Sequence, residues 1–73
     1  MNSLNDAVIR KNYTIKDIET NDEELKNFLL SLGYFNGEII TVINKKINLI
    51  VVIKDAKYCI DKDLAEIIKI NHQ

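Results

Sequence analysis

Between Asn21 and Gly33 the chain carries the start, stripe and stop signals of one short helix, and the residues beyond Gly37 are dominated by β-branched side chains. A chain so patterned must pack one helix on a sheet. Asn21 can accept from the first free backbone N–H groups, Glu24 sits three residues later as a capping-box partner, and Asp22-Glu23-Glu24 puts negative charge at the positive end of the helix dipole. Leu25, Phe28, Leu29 and Leu32 fall at i, i+3, i+4 and i+7, one apolar stripe, and Gly33 stands where a left-handed C-cap favours a residue without a Cβ. The spacing predicts a helix over about 22–32.

Beyond the connector Tyr34-Phe35-Asn36-Gly37, residues 38–44, 47–54, 57–60 and 67–71 read as strands, and 13–18 reads as a shorter one before the helix. Asn36-Gly37 is a turn dipeptide, Asn44-Lys45-Lys46 a polar hairpin tip and Asp55-Ala56 a tight turn, so the central strands form an antiparallel meander. Asp61 can cap one helical turn before the last strand, with Leu64 pointing inward. Residues 1–12 are polar and mixed, with a weak apolar group at Ala7-Val8-Ile9, and are expected as a loose N-terminal arm or a short helix, with the domain proper over 13–71. The expected fold is mainly β: a small barrel of about five antiparallel strands, one inserted helix and a short helical turn.

Seventy-three residues leave room for one core only, and no segment approaches the roughly 20 apolar residues of a membrane-spanning helix. The N-terminal stretch has no basic and apolar pattern of a secretory signal, and one cysteine cannot form an internal disulfide. A cytoplasmic location is the expectation. The formal net charge is -1 and basic residues cluster no further than pairs such as Lys45-Lys46, which argues against nucleic acid as a partner.

Catalysis lacks an inventory: one His, one Cys and two glycines allow no phosphate loop and no convincing nucleophile and base. Cys59 lies in an apolar strand context and reads as a core residue, and His72 falls near a frayed end. Asp61 and Asp63 are the best oxygen pair for a divalent ion, but a cap and a solvated charge describe them better. Phe35 reads more readily as core than as surface, whereas Tyr34 is balanced between the two. An exposed rim of Tyr34, Phe35 and Asn36 after the helix, with Lys45 and Lys46 at the hairpin tip, is the candidate partner-binding surface.

Two segments resemble one known family. Leu25-x-x-x-Leu29-x-x-Leu32-Gly33-Tyr34-Phe35-Asn36-Gly37-Glu38, followed by an apolar strand, is similar to the central motif of the FeoA proteins, accessory proteins of bacterial ferrous iron uptake. Ile60-Asp61-Lys62-Asp63-Leu64-Ala65-Glu66-Ile67-Ile68-Lys69-Ile70 resembles that family's closing segment. The resemblance implies an SH3-like barrel without enzyme activity or cofactor. It also implies contact with the FeoB ferrous iron transporter, through the cytosolic GTPase region, at the inner face of the membrane. Weak contact with Fe2+ or another divalent ion is compatible with it but not predicted, and a weak homo-oligomer is compatible with it as well. Because an SH3-like domain of this kind also ends the DtxR-type metalloregulators, a stand-alone relative that binds a divalent metal or a regulator is the alternative.

Overall fold

The computed structural model describes residues 2–72, which fold around one five-stranded antiparallel sheet of order β4-β3-β2-β1-β5. The strands are β1 (Asn12–Ile18), β2 (Ile39–Asn44), β3 (Leu49–Ile53), β4 (Ala56–Ile60) and β5 (Ile68–His72); α1 (Glu23–Ser31) lies between β1 and β2, and α2 (Lys62–Ile67) before β5. Alternation along the strands turns Tyr13, Ile15 and Ile18 of β1, Ile40 and Val42 of β2, and Leu49, Val51 and Ile53 of β3 into the core. Ile60 of β4, Ile68 and Ile70 of β5, Leu29 of α1 and Ala65 of α2 add to it.

Register shifts between Ile15 and Asp17 and between Val42 and Asn44 bend the sheet as bulges do, giving it a barrel-like curl. The expected closure is not reached: the hydrogen-bonded ladder stays open between β4 and β5. The reason lies at both edges. β4 runs straight into the Asp61 cap of α2, and the free side of β5 is taken by the N-terminal segment, where Ile70 N–H donates to Asn2 O and Ser3 bridges Lys69.

Of the two readings of residues 1–12, that contact corrects the loose arm, for those described, in favour of the short helix. Leu4–Asp6 form a 3₁₀ turn closed by a capping box, with Ser3 accepting from Asn5 N–H and Asp6 accepting from Ser3 N–H. Leu4 and Ala7 are buried in the core. The polar side chains around them, which made the stretch look solvated, are committed locally: Ser3 Oγ and Asn5 Nδ2 both donate to Glu66 Oε1. At the other terminus His72 is not frayed but pairs with Tyr13, ring centroids 5.4 Å apart.

Helix α1 starts one residue later than its sequence signals suggest. Asp22, not Asn21, is the N-cap, accepting from Leu25 N–H at 3.0 Å, so Glu24 has no capping-box role. Leu29 is fully buried and Leu25 and Leu32 pack against the core, but Phe28 is exposed, because it lies about 100° around the helix from Leu29, at the margin of the stripe.

Candidate partner-binding surfaces

The chain leaves α1 through a Schellman motif: Gly33 N–H donates to Leu30 O, and Tyr34 N–H reaches back to Leu29 O at 3.1 Å. Gly33 takes the left-handed conformation the motif requires, φ +105°. The residue after that glycine folds back against the last buried helix residue, so Tyr34 is completely buried beside Leu29. This corrects its placement on the exposed rim. Its ring tilts against Tyr58, centroids 5.6 Å apart, and Tyr58 Oη donates to Leu32 O. The Tyr34 hydroxyl itself has no hydrogen-bond partner, and burial, with Tyr58 close by, pushes its pKa up to about 12.

The next residue turns outward. Phe35, expected in the core more readily than on the surface, is 46% exposed. Glu38 N–H donates to Phe35 O across a turn in which Gly37 has φ +91°, and this turn is tied to β1 through Gly37 N–H to Ile15 O and Ile15 N–H to Glu38 O. Lys54 clamps the loop from above. Its ammonium sits 5.3 Å from the Phe35 ring centroid and 3.7 Å from Glu38 Oε2. Phe35 and Asn36 are thus exposed on a fixed backbone, with Ile39 also exposed at the start of β2.

The two lysines lie elsewhere. Phe35 neighbours Lys54 at the β3–β4 turn, whereas Lys45 and Lys46 sit at the opposite end of β3, about 16 Å away along a strand of this length. Lys45 is half-buried and donates to Asn5 O at 2.9 Å, while Lys46 is exposed on a turn closed by Asn44 Oδ1. The structure therefore divides the sequence-derived rim into two surfaces and removes Tyr34 from both. Cys59, read as core, is exposed on the outer face of β4, opposite Ile50, because the alternation of that strand sends Tyr58 and Ile60 inward.

Sequence reasoning missed a third feature, a groove of about 390 Å³ between α1 and α2 lined by Thr20, Leu25, Asp61, Asp63, Leu64 and Ile67. The half-buried leucines of the stripe and of the α2 turn were its only trace in the sequence. Asp61 caps α2, accepting from Leu64 N–H at 2.7 Å. Among the described residues no three His, Cys, Asp or Glu side chains converge as metal ligands, and no helix is long and apolar enough to cross a membrane.

A curled five-stranded sheet carrying one helix after its first strand and a short helix before its last is the architecture of the small SH3-like domains. Within that class the family model of the FeoA domain matches residues 2–72, and the chain belongs to that family. Among curated proteins none matches. Solved structures share the fold at low identity. The iron(II) transport protein A of Clostridium thermocellum superposes with a TM-score of 0.87 at 22% identity, over 97% of this chain and 45% of that one. This chain therefore spans about half the length of that protein. The zinc complex of Stenotrophomonas maltophilia FeoA, described as a procaryotic SH3 domain protein, gives 0.87 at 13% identity, over 97% and 91%. IdeR of T. acidophilum gives 0.81 at 19% identity, over 92% of this chain and 32% of that one.

Proposed function

We propose that the chain is a non-enzymatic accessory protein of ferrous iron transport, acting in the cytoplasm by contact with the cytosolic GTPase region of a FeoB-type transporter. Family membership supports the process. The observation that carries the contact is the rim at the end of α1, where Phe35 and Asn36 are exposed on a backbone fixed by two positive-φ glycines and a lysine clamp. A rigid exposed aromatic loses little conformational freedom on binding, which is what an interface anchor needs.

Deleting the gene should lower Fe2+ uptake, and a Phe35→Ser copy should fail to restore it while remaining folded. Unchanged uptake after deletion overturns the reading.

The second reading, a stand-alone relative of the metalloregulators, draws on the fold shared with IdeR. It requires saturable Fe2+ binding by the isolated chain in equilibrium dialysis, with loss of that binding in Asp61→Asn and Asp63→Asn variants.

A further inference from the structure

We propose that the chain pairs with a second copy of itself, each copy seating Ile47 of its β2–β3 hairpin tip in the other's groove between α1 and α2. This does not rest on the iron-transport reading.

Ile47 is 83% exposed, the most exposed of the large apolar side chains described. Its position at a polar hairpin tip contributes nothing to the core, so its apolar surface is available to a partner. It follows Lys45 and Lys46. Lys45 is held by Asn5 O, which leaves Lys46 as the charge presented beside Ile47.

The groove is complementary in both respects. Leu25, Leu64 and Ile67 give it an apolar lining, and its volume of about 390 Å³ admits a branched aliphatic side chain. Asp61 and Asp63 bring negative charge to it. Among the described residues the ion pairs are Lys54–Glu38 and Lys69–Glu66, so among those residues neither groove aspartate has a cationic partner. An apolar anchor beside a lysine is the occupant this site fits, and the chain itself carries one.

The recess reaches the hairpin's end of the sheet at Asp61 and runs toward the other end, where Thr20 and Ile67 flank the Ile18–Ile68 pair. Leu49 opposite Ile60 ends the β3–β4 ladder; Ile47 precedes Leu49 by two residues, and Asp61 follows Ile60 directly. A shallow depression containing Lys46, Ile47, Ile50 and Cys59 borders this end. The molecule thus carries both a basic, apolar projection and an acidic, apolar recess. A two-fold axis between the copies makes the contact twice, Lys46 to Asp63 of the second copy and the reverse, as an isologous interface requires. The formal net charge of -1 opposes such pairing very little.

Sedimentation equilibrium of the full chain decides it. At low salt and concentrations up to about 1 mM, the range in which a small interface associates, the average mass should climb above 8.4 kDa toward twice that value, and added salt should lower it. Ile47→Asp should abolish the rise. Lys46→Glu and Asp63→Lys should each weaken association by about tenfold, and the double variant should recover to within about threefold of the parent chain. All three positions are exposed and Asp63 is not the helix cap, so the variants keep the fold. A mass that stays at 8.4 kDa to about 1 mM, or a double variant no better than either single one, overturns the proposal.

Discussion

The two ends of the β3–β4 ladder are built on opposite principles. At one end the Gly33–Glu38 loop is fixed by a Schellman motif, by hydrogen bonds to β1 and by the Lys54 clamp, and it buries one aromatic, Tyr34, in order to present the next, Phe35. At the other end the hairpin tip is held by one Asn44 turn and one Lys45 contact, and Ile47 stands free. The first end contributes to stability and to any rigid contact; the second is available for association at almost no cost to the fold. Substitutions at the two ends should therefore differ by several kcal/mol in their effect on stability.

Tyr34→Ala should produce the largest change, a loss of about 3–5 kcal/mol in denaturant unfolding, as for other buried aromatics. Tyr34→Phe should do the reverse, leaving stability unchanged or higher by up to about 1 kcal/mol, since the hydroxyl it removes has no partner. The same hydroxyl gives a pH signature. Its folded pKa of about 12 lies above the ordinary value of 10.0, so its contribution is fully present below pH 10.0 and is lost as pH rises toward about 12. Unfolding midpoints at about pH 9 and about pH 11 should diverge for the parent chain more than for Tyr34→Phe. Equal divergence would mean that other groups govern the alkaline loss.

Gly33→Ala should cost about 1–2 kcal/mol and Gly37→Ala somewhat less, because both glycines have positive φ but only at Gly33 would a new Cβ meet Lys54 Cδ, at 3.4 Å. Equal costs would show that the clamp yields freely. A smaller effect is expected at the N-terminal turn. Hydrogen bonds from Asn5 and Ser3 lower the Glu66 pKa, so the tie is present above the ordinary carboxylate range and is lost as pH falls through the lowered value. Exchange protection of the Ile70 amide, bonded to Asn2 O, should fall with acid in the parent chain and already be low in Asn5→Ala. At the hairpin tip Ile47→Asp should change stability by less than about 0.5 kcal/mol. A loss of several kcal/mol there would erase the contrast between the ends.

Much of the fold could be read directly. The Leu25-Leu29-Leu32 stripe, the Gly33 stop and the β-branched runs located α1 and the strands to within about two residues, because helix and strand periods leave distinct marks. The errors share a cause: each was decided by a partner distant in sequence. Leu4 and Ala7 looked isolated among polar residues because what receives them is β5 and α2, more than fifty residues later. Cys59 looked internal by composition, but strand register, set by Tyr58 and Ile60, turned it outward. The order of Tyr34 and Phe35 was open to local reasoning, since the residue following a left-handed glycine cap commonly packs back on the helix. The groove joins Thr20 and Leu25 to Asp61 and Leu64, a proximity that no local pattern encodes.

The rigid end is the surface proposed to meet the transporter, and an NMR titration of the isotope-labelled chain with the cytosolic GTPase domain of its FeoB-type partner tests this most directly. Saturable shifts should centre on Phe35, Asn36 and Gly37, extend to Lys54, and vanish in Phe35→Ser. Saturation without shifts in that loop, or no shifts at any concentration, would contradict it.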